Sequence, residues 1–383
     1  MDFELSEDQK MLVDTVQSFV RKESPLERMR KLRDDEVGWD RAVWKQMGEL
    51  GWLGVMFPED AGGSAMSFVE MGLIIEQLGT TLVPEPVTPL VVAGSALASA
   101  GSPAQREQFL APAIAGATSL AMACEEIQSR FDVRCVHTKG EKSGGGYKLS
   151  GQKRWVQNGH AADTLLISAR TSGKDGDNSG VSLFIVDKDA PGLTRTSVKQ
   201  MDGKHGAMLK LDGVEVGADR VVGKLDGAAA ILDAALDLGA AAACCEGSGM
   251  MQAVLMMTRN YLTERKQFGR AIGSFQALQH RCVDMFVETE LAKSTAILAM
   301  IKAQETDVSE RQRAVSVAKV QLAESGGFVT RQGIQLHGGI GVTDEHDVGL
   351  YFKRMQVLCA LFGDDLFHSR RYAGLPSFRK HVS

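Results

Sequence analysis

No run of lysine and arginine rises above the background in this chain, whose formal net charge is −5 with the two signs mixed, so a nucleic-acid surface is not expected. The six cysteines, Cys124, Cys135, Cys244, Cys245, Cys282 and Cys359, contain no C-x-x-C pair and mostly sit inside apolar patterns. That excludes a disulfide framework and points to reduced core thiols in a cytoplasmic protein. No apolar run approaches the roughly 18 residues of a spanning helix, so no membrane span is expected. The acidic start, Met1-Asp-Phe-Glu, does not resemble a signal or transit segment. The eight histidines lack the i, i+4 or cysteine pairings that metals need, and Asp344-Glu-His-Asp347 reads as an exposed charged turn. No Gly-x-Ser-x-Gly elbow supports a serine nucleophile. Gly338-Gly-Ile-Gly-Val-Thr lacks the third glycine of a dinucleotide fingerprint and follows a helical pattern rather than a strand. Internal repeats and low-complexity tracts are missing as well.

What is present is enough apolar sequence, 44% of 383 residues, for a large core divided among two or three domains. Residues 1–117 read as helices. Ser6-x-x-Gln9 and Ser67-x-x-Glu70 have capping-box spacing, Ser102-Pro103 pairs an N-cap with proline, and Gly51, Gly79 and Gly116 fall at helix ends. Over residues 118–224 the apolar period becomes two. Strands are predicted at Leu120–Cys124, Val133–Thr138, Tyr147–Trp155, Thr164–Arg170, Val181–Asp187, Thr194–Val198 and Ala207–Leu211, as a small barrel or sandwich. Residues 225–383 return to helix, beginning with an alanine-rich segment, 228–243. The expected fold class is α+β, multidomain, in the order helical, β, helical.

One stretch organises the last region. Met251, Val254, Leu255, Thr258, Tyr261 and Leu262 form a stripe of helical period that stops near Gly269, and a second stripe starts at Phe275. Between them Arg265, Gln267 and Arg270 make a cationic corner that suits a pyrophosphate; by spacing alone it reads more readily as a solvated turn between helices. Arg265-Lys-Gln267-Phe268-Gly269, followed by Ile272 and Phe275-Gln276-x-x-Gln279, resembles the signature of the acyl-CoA dehydrogenase family. Gln335-Leu-His-Gly338-Gly339-Ile-Gly341 resembles that family's second motif. The resemblance covers nearly the whole chain, and segments such as Gln128–Asp132, Leu183–Asp187, Leu211–Glu215 and Phe362–Asp364 look like the small-subunit type of pimeloyl-CoA dehydrogenase.

The resemblance implies an N-terminal helical domain, a middle β-domain and a C-terminal four-helix bundle in a flavoprotein of fatty-acid metabolism. FAD would be its cofactor, an acyl-CoA its substrate and an electron-transfer flavoprotein its electron acceptor. It implies a homotetramer, or a heterotetramer with a paralogous subunit. Arg265, Gln267, Phe268, Gln335, Gly338 and Gly339 would contact the adenosine diphosphate half of a neighbouring subunit's cofactor, and Glu125, Trp155 and Gln157 the isoalloxazine ring.

Four positions depart from the family pattern. The family's Thr-Glu-Pro segment is here Glu125-Glu126-Ile127, a hydroxyl replaced by a carboxylate, and its Trp-x-Thr is Trp155-Val-Gln157. The family's base, a glutamate in Tyr-Glu-Gly-Thr, falls on Asp364 when counted back from Arg371 and on Gly363 when counted forward from Arg354. The alternative base of some members, in Leu-Asp-Leu-Glu-Arg, is Gly239 here. Asp364 is therefore the expected base. A subunit that completes only its neighbour's site is the alternative, because the elements that act across an interface match while those that serve the chain's own ring do not.

Overall fold

The computed structural model describes residues 5–376; the outermost residues of the first and third expected domains lie outside them. The order along the chain is helical, then β, then helical. By packing, the described residues fall into two compact units. One contains Asp34–Ser67 and Pro84–Gly239, the other the described residues 5–33, Phe68–Val83 and 240–376.

In the first unit, eight strands form one sheet: β1 (Leu120–Ala123), β2 (Lys139–Ser143), β3 (Gly146–Gln157), β4 (Thr164–Arg170), β5 (Val181–Asp187), β6 (Leu193–Lys199), β7 (His205–Gly217) and β8 (Val221–Val222). Their order is β6-β7-β3-β2-β4-β5-β8, with β1 parallel to β4. Leu149, Val156, Leu165, Ile167, Phe184, Val186, Leu209 and Leu211 share one buried cluster. Residues of β5 and β7 meet in it although three strands separate them, so the sheet curls over its core. The β2–β3 hairpin closes through Gly144-Gly145, where Gly144 takes φ 56°. Flanking helices are tied on by polar side chains. Arg41 grips Asp163 with Nη1 at 2.9 Å and Nη2 at 3.2 Å, and Trp44 Nε1 donates to Thr118 O at 2.9 Å.

The strand expected at Val133–Thr138 is irregular chain, and β2 begins only at Lys139. The reason is local competition. The amides of His137 and Thr138 donate to the Glu126 carboxylate at 2.8 and 3.1 Å, so they are not available to a strand ladder.

In the second unit, the helix Glu7–Glu23 opens on the Ser6–Gln9 capping box, present in both directions. The alanine-rich segment and the stripe after it, read separately above, are one helix, Ala228–Glu264, whose residues from Ala240 onward belong to this unit. This corrects the expectation that no apolar run is long enough to cross a membrane. An 18-residue window of this helix has mean hydropathy 1.6, but 72% of it is buried, which makes it a core helix. Small residues let it be approached closely: a Cβ on Gly249 would stand 1.8 Å from Glu76 O, so only glycine lets the helix Phe68–Gly79 cross there. Glu246 on this helix and Arg354 form a buried bidentate pair, both contacts at 2.7 Å. The helices Gln276–Lys302, Val308–Gln321, Gly327–His337, Val348–Ala360 and Asp365–Gly374 complete the unit.

Candidate functional site

In the β-unit the expected ring residues gather where β1 runs out and β3 bulges. Lys153 pairs with Leu209, but the next recorded pair is Val156 with Ala207, so β3 carries one extra residue. Trp155 sits in that bulge at φ 51°, a left-handed conformation that costs a bulky residue on the order of 1–3 kcal/mol. The bulge turns its indole outward, leaving it 44% exposed, with the Arg154 guanidinium 5.9 Å from the ring. Two residues on, Gln157 Nε2 is buried without a hydrogen-bond partner. Arg154 N donates to Glu125 O at 2.9 Å and ties the end of β1 to the same bulge. Glu125, Trp155 and Gln157 are thus brought together.

Beneath them lies a pair that the sequence reading passed over. Lys153 is fully buried, and its Nζ donates to Glu126 Oε1 at 2.7 Å and to Ser168 Oγ at 3.0 Å. Burial alone would raise the Glu126 carboxyl, but the Lys153 ammonium and the surrounding donors bring it down to about 2. The available signal was the register of Lys153, four residues from the buried Leu149 and so on the same inward face of β3, whereas Lys148 faces out. An open cleft of about 660 Å³ next to this pair is lined by Glu126, His137, Lys153, Arg154, Met208 and Lys210 among others.

In the helical unit the cationic corner is a two-stranded ribbon rather than a plain turn. Lys266–Gln267 pairs with Arg270–Ala271, and Phe268 and Gly269 between them take φ 52° and 79°, as a tight two-residue hairpin turn requires. Arg265, Gln267 and Arg270 are exposed, and the Phe268 side chain is 90% exposed. Arg270 lies over Phe275 at 4.2 Å, which steadies the ribbon from the side opposite its tip.

The glycine turn follows the helix Gly327–His337. Gly338 has φ 66° and ψ −141°, and no atom lies within 4 Å of a Cβ built at Gly338 or Gly339. Gln335 is exposed beside them. The His337 ring packs at a tilt against Tyr261, with centroids 4.6 Å apart, and against His346 at 4.3 Å. Because Tyr261 stands one helical turn before Arg265, the two motifs are joined at one end of this unit. Burial holds both histidines below their usual pKa, hence neutral, which suits rings in such close contact.

Asp364 stands apart from these groups in its duties. Its carboxylate accepts from Phe367 N at 2.7 Å and caps the helix Asp365–Gly374. Phe362 and Gly363 before it take φ 58° and 112°. The loop is held from below by the fully buried Lys319, whose Nζ donates to Leu358 O at 2.6 Å and Leu361 O at 2.7 Å. His368, kept neutral by burial with its pKa down at about 2, donates from Nε2 to Phe362 O at 3.1 Å. Of the two counts of the base position, one falls on Gly363, which carries no side chain, and the other on Asp364, the helix cap.

Residues 6–117 match the acyl-CoA dehydrogenase N-terminal domain, 121–214 the middle domain and 226–371 the C-terminal domain. The chain is 31% identical over 357 residues to the "Probable acyl-CoA dehydrogenase YngJ" of Bacillus subtilis, covering 91% of this chain and 92% of that one. It is 31% identical over 359 residues to the mitochondrial isovaleryl-CoA dehydrogenase of Pongo abelii, covering 91% and 84%. Among solved structures, one described as the ChsE4-ChsE5 complex from Mycobacterium tuberculosis superposes with a TM-score of 0.88 at 27% identity, over 100% of this chain and 99% of that one. The chain therefore belongs to the acyl-CoA dehydrogenase family and has that family's fold.

Proposed function

We propose that this chain is a flavin-binding acyl-CoA dehydrogenase that oxidises an acyl-CoA thioester between its α and β carbons. The observation that carries the reading is the bulge in β3, which presents an outward tryptophan and leaves a buried amide donor at Gln157 without an acceptor. A planar heterocycle edged with carbonyl and ring-nitrogen acceptors answers both needs. The open turn at Gly338-Gly339 and the exposed Arg265 and Gln267 suit a diphosphate. The donor set therefore fits FAD, which when bound supplies the acceptor for a hydride from the substrate's β-carbon. Family members are flavoproteins.

Within this reading Trp155 walls the ring and Gln157 Nε2 donates to it. Arg265, Gln267, Phe268, Gln335 and the main chain at Gly338-Gly339 hold the adenosine diphosphate half of a neighbouring subunit's cofactor. Asp364 takes the proton from the α-carbon onto a carboxylate oxygen, the C–H electron pair staying on carbon. Aspartate is one methylene shorter than glutamate, and a displacement of about 1 Å can cost roughly 10²-fold in rate, so turnover should be slow. An electron-transfer flavoprotein is the proposed electron acceptor. The likeness to the pimeloyl-CoA small-subunit type favours dicarboxylyl, branched or ring-bearing acyl groups. Six free cysteines among the described residues suit the cytoplasm. The test is anaerobic bleaching of the flavin-loaded protein by a panel of acyl-CoAs. Asp364→Asn, which keeps the cap, should slow bleaching at least about 10²-fold; an unchanged rate overturns the base assignment.

A second reading has its own support: the chain is a partner subunit in a heterotetramer. Asp364 is engaged as a helix cap, and a structure covering the full chain at 27% identity is described as a complex of two differently named proteins. On this reading the chain co-expressed with a paralogue bearing an intact glutamate gives a heterotetramer with half the usual flavin. A homotetramer isolated with one tightly bound FAD per chain overturns it.

A further inference from the structure

The two glutamates that follow β1 are treated in opposite ways. Glu126 has both carboxylate oxygens filled: Oε1 accepts from Lys153 Nζ and Thr138 N, Oε2 from His137 N and Gln128 Nε2. Glu125 is partly buried, and its carboxyl has no hydrogen-bond or ion-pair partner among the described residues. No neighbouring charge answers it. The Lys153 ammonium is taken by Glu126 and Ser168, the Arg154 guanidinium lies toward the Trp155 ring, and burial pushes the Cys124 thiol up to about 12, so it is neutral. The Glu125 main chain is held in place, because its carbonyl accepts from Arg154 N at the bulge that carries Trp155 and the unpartnered Gln157 amide. A residue with an unfilled carboxyl is thus tied through its backbone to the bulge that carries an unfilled donor and an exposed indole.

An ionised carboxylate in this position would lose its remaining water when a flat ring covers it, and an unpaired buried charge costs several kcal/mol. A neutral carboxylic acid has a different capacity. Its O–H donates while its C=O accepts, the complement of a –CO–NH– edge such as the pyrimidine side of a flavin. We propose that Glu125 is a binding residue that, in its neutral form, pairs with the imide edge of an isoalloxazine ring, so that ring binding takes up a proton. The inference rests on the flavoprotein reading above. It gives the residue that departs from the family's hydroxyl a use rather than a defect.

Burial has already raised the free carboxyl to about 7, so the proton is cheaply available near neutrality. The sign follows: a group whose pKa is higher in the complex than in the free protein favours binding fully below the free value, and the advantage is lost as pH rises above it. FAD affinity should therefore be flat below pH 7 and fall toward tenfold per pH unit above it.

The test is titration of the full chain with FAD from pH 6 to 9, read by flavin fluorescence, and by calorimetry at pH 8 in two buffers of different ionisation enthalpy. The wild type should take up close to one proton per FAD at pH 8. Glu125→Gln should lose the pH dependence and bind at pH 8.5 at least about tenfold more tightly than the wild type does there. Glu125→Thr, with a hydroxyl, should also be pH-independent. Proton uptake is measured on the wild type and needs no variant to fold. Tight, pH-independent binding without proton uptake overturns the proposal and leaves the flavoprotein reading standing, and so does a pH slope that survives in both variants. No FAD binding by wild type or variants at any pH overturns both.

Discussion

The loop Leu361–Asp364 and the bulge at Trp155 both hold non-glycine residues in left-handed backbone, yet they are opposite in how their polar groups are spent. In the loop nearly everything is paired: Lys319 takes the carbonyls of Leu358 and Leu361, His368 that of Phe362, and Asp364 caps the helix that follows. At the bulge Gln157 Nε2 is buried and unpaired, Glu125 is unanswered and Trp155 is turned outward. Strain backed by filled hydrogen bonds is what a structural joint needs. Strain beside unfilled groups is what a ligand can repair. On the proposed reading the contrast assigns ligand binding to the bulge and makes the catalytic duty of the loop the quantity to measure.

The contrast rests on a floor beneath the bulge, and removing it gives the largest effect. Lys153→Met leaves the Glu126 carboxylate buried without its cation and should destabilise by about 3–5 kcal/mol in denaturant titration. Lys153→Met with Glu126→Gln should recover much of that. The pair also sets an acid limit. With Glu126 depressed to about 2 in the folded chain, its contribution is complete above the ordinary glutamate value of about 4.5 and is lost as pH falls toward 2. Thermal melts of the wild type between pH 5 and 2 should show this loss, and those of Glu126→Gln a smaller one.

In the loop, Lys319→Met should cost about 1–3 kcal/mol, because main-chain carbonyls at the end of the helix Val348–Ala360 lose their donor. Asp364→Ala should cost about 1 kcal/mol through the lost cap, and Asp364→Asn a few tenths. If the two Asp364 variants are equally stable, the cap is not what holds the loop, and the contrast with the bulge weakens. The smallest effect, of opposite sign, belongs to Gln157→Met. Removing a buried donor that has no partner should leave the FAD-free protein unchanged or up to about 1 kcal/mol more stable, while FAD binding weakens about tenfold. A clear loss of stability would show that the Gln157 amide is paired in solution and that the bulge is not poised for a ligand.

Much of the fold was legible because it is written in periods. The change from helical spacing to period two and back gives the helical, β, helical order, and β4 and β5 fall on the predicted Thr164–Arg170 and Val181–Asp187. The misreading at Val133–Thr138 has a physical cause, since a side chain 11 residues upstream claims the amides of that segment and no local pattern records it. The two motifs at Arg265 and Gln335 were also legible, as strings. Their meeting through Tyr261 and His337 was not.

By itself the sequence determined the family, the three-part order and the identity of the residues that depart from the family, because periodicity and short motifs are local properties of the chain. Only the tertiary structure decided which of two adjacent glutamates is satisfied and which is free. It also decided that Trp155 turns outward on a bulge and that Asp364 ends in a helix cap. Whether a polar atom is paired depends on groups brought near from elsewhere in the chain, as Lys153 is to Glu126 from 27 residues away, and that proximity exists only once the sheet has curled over its core.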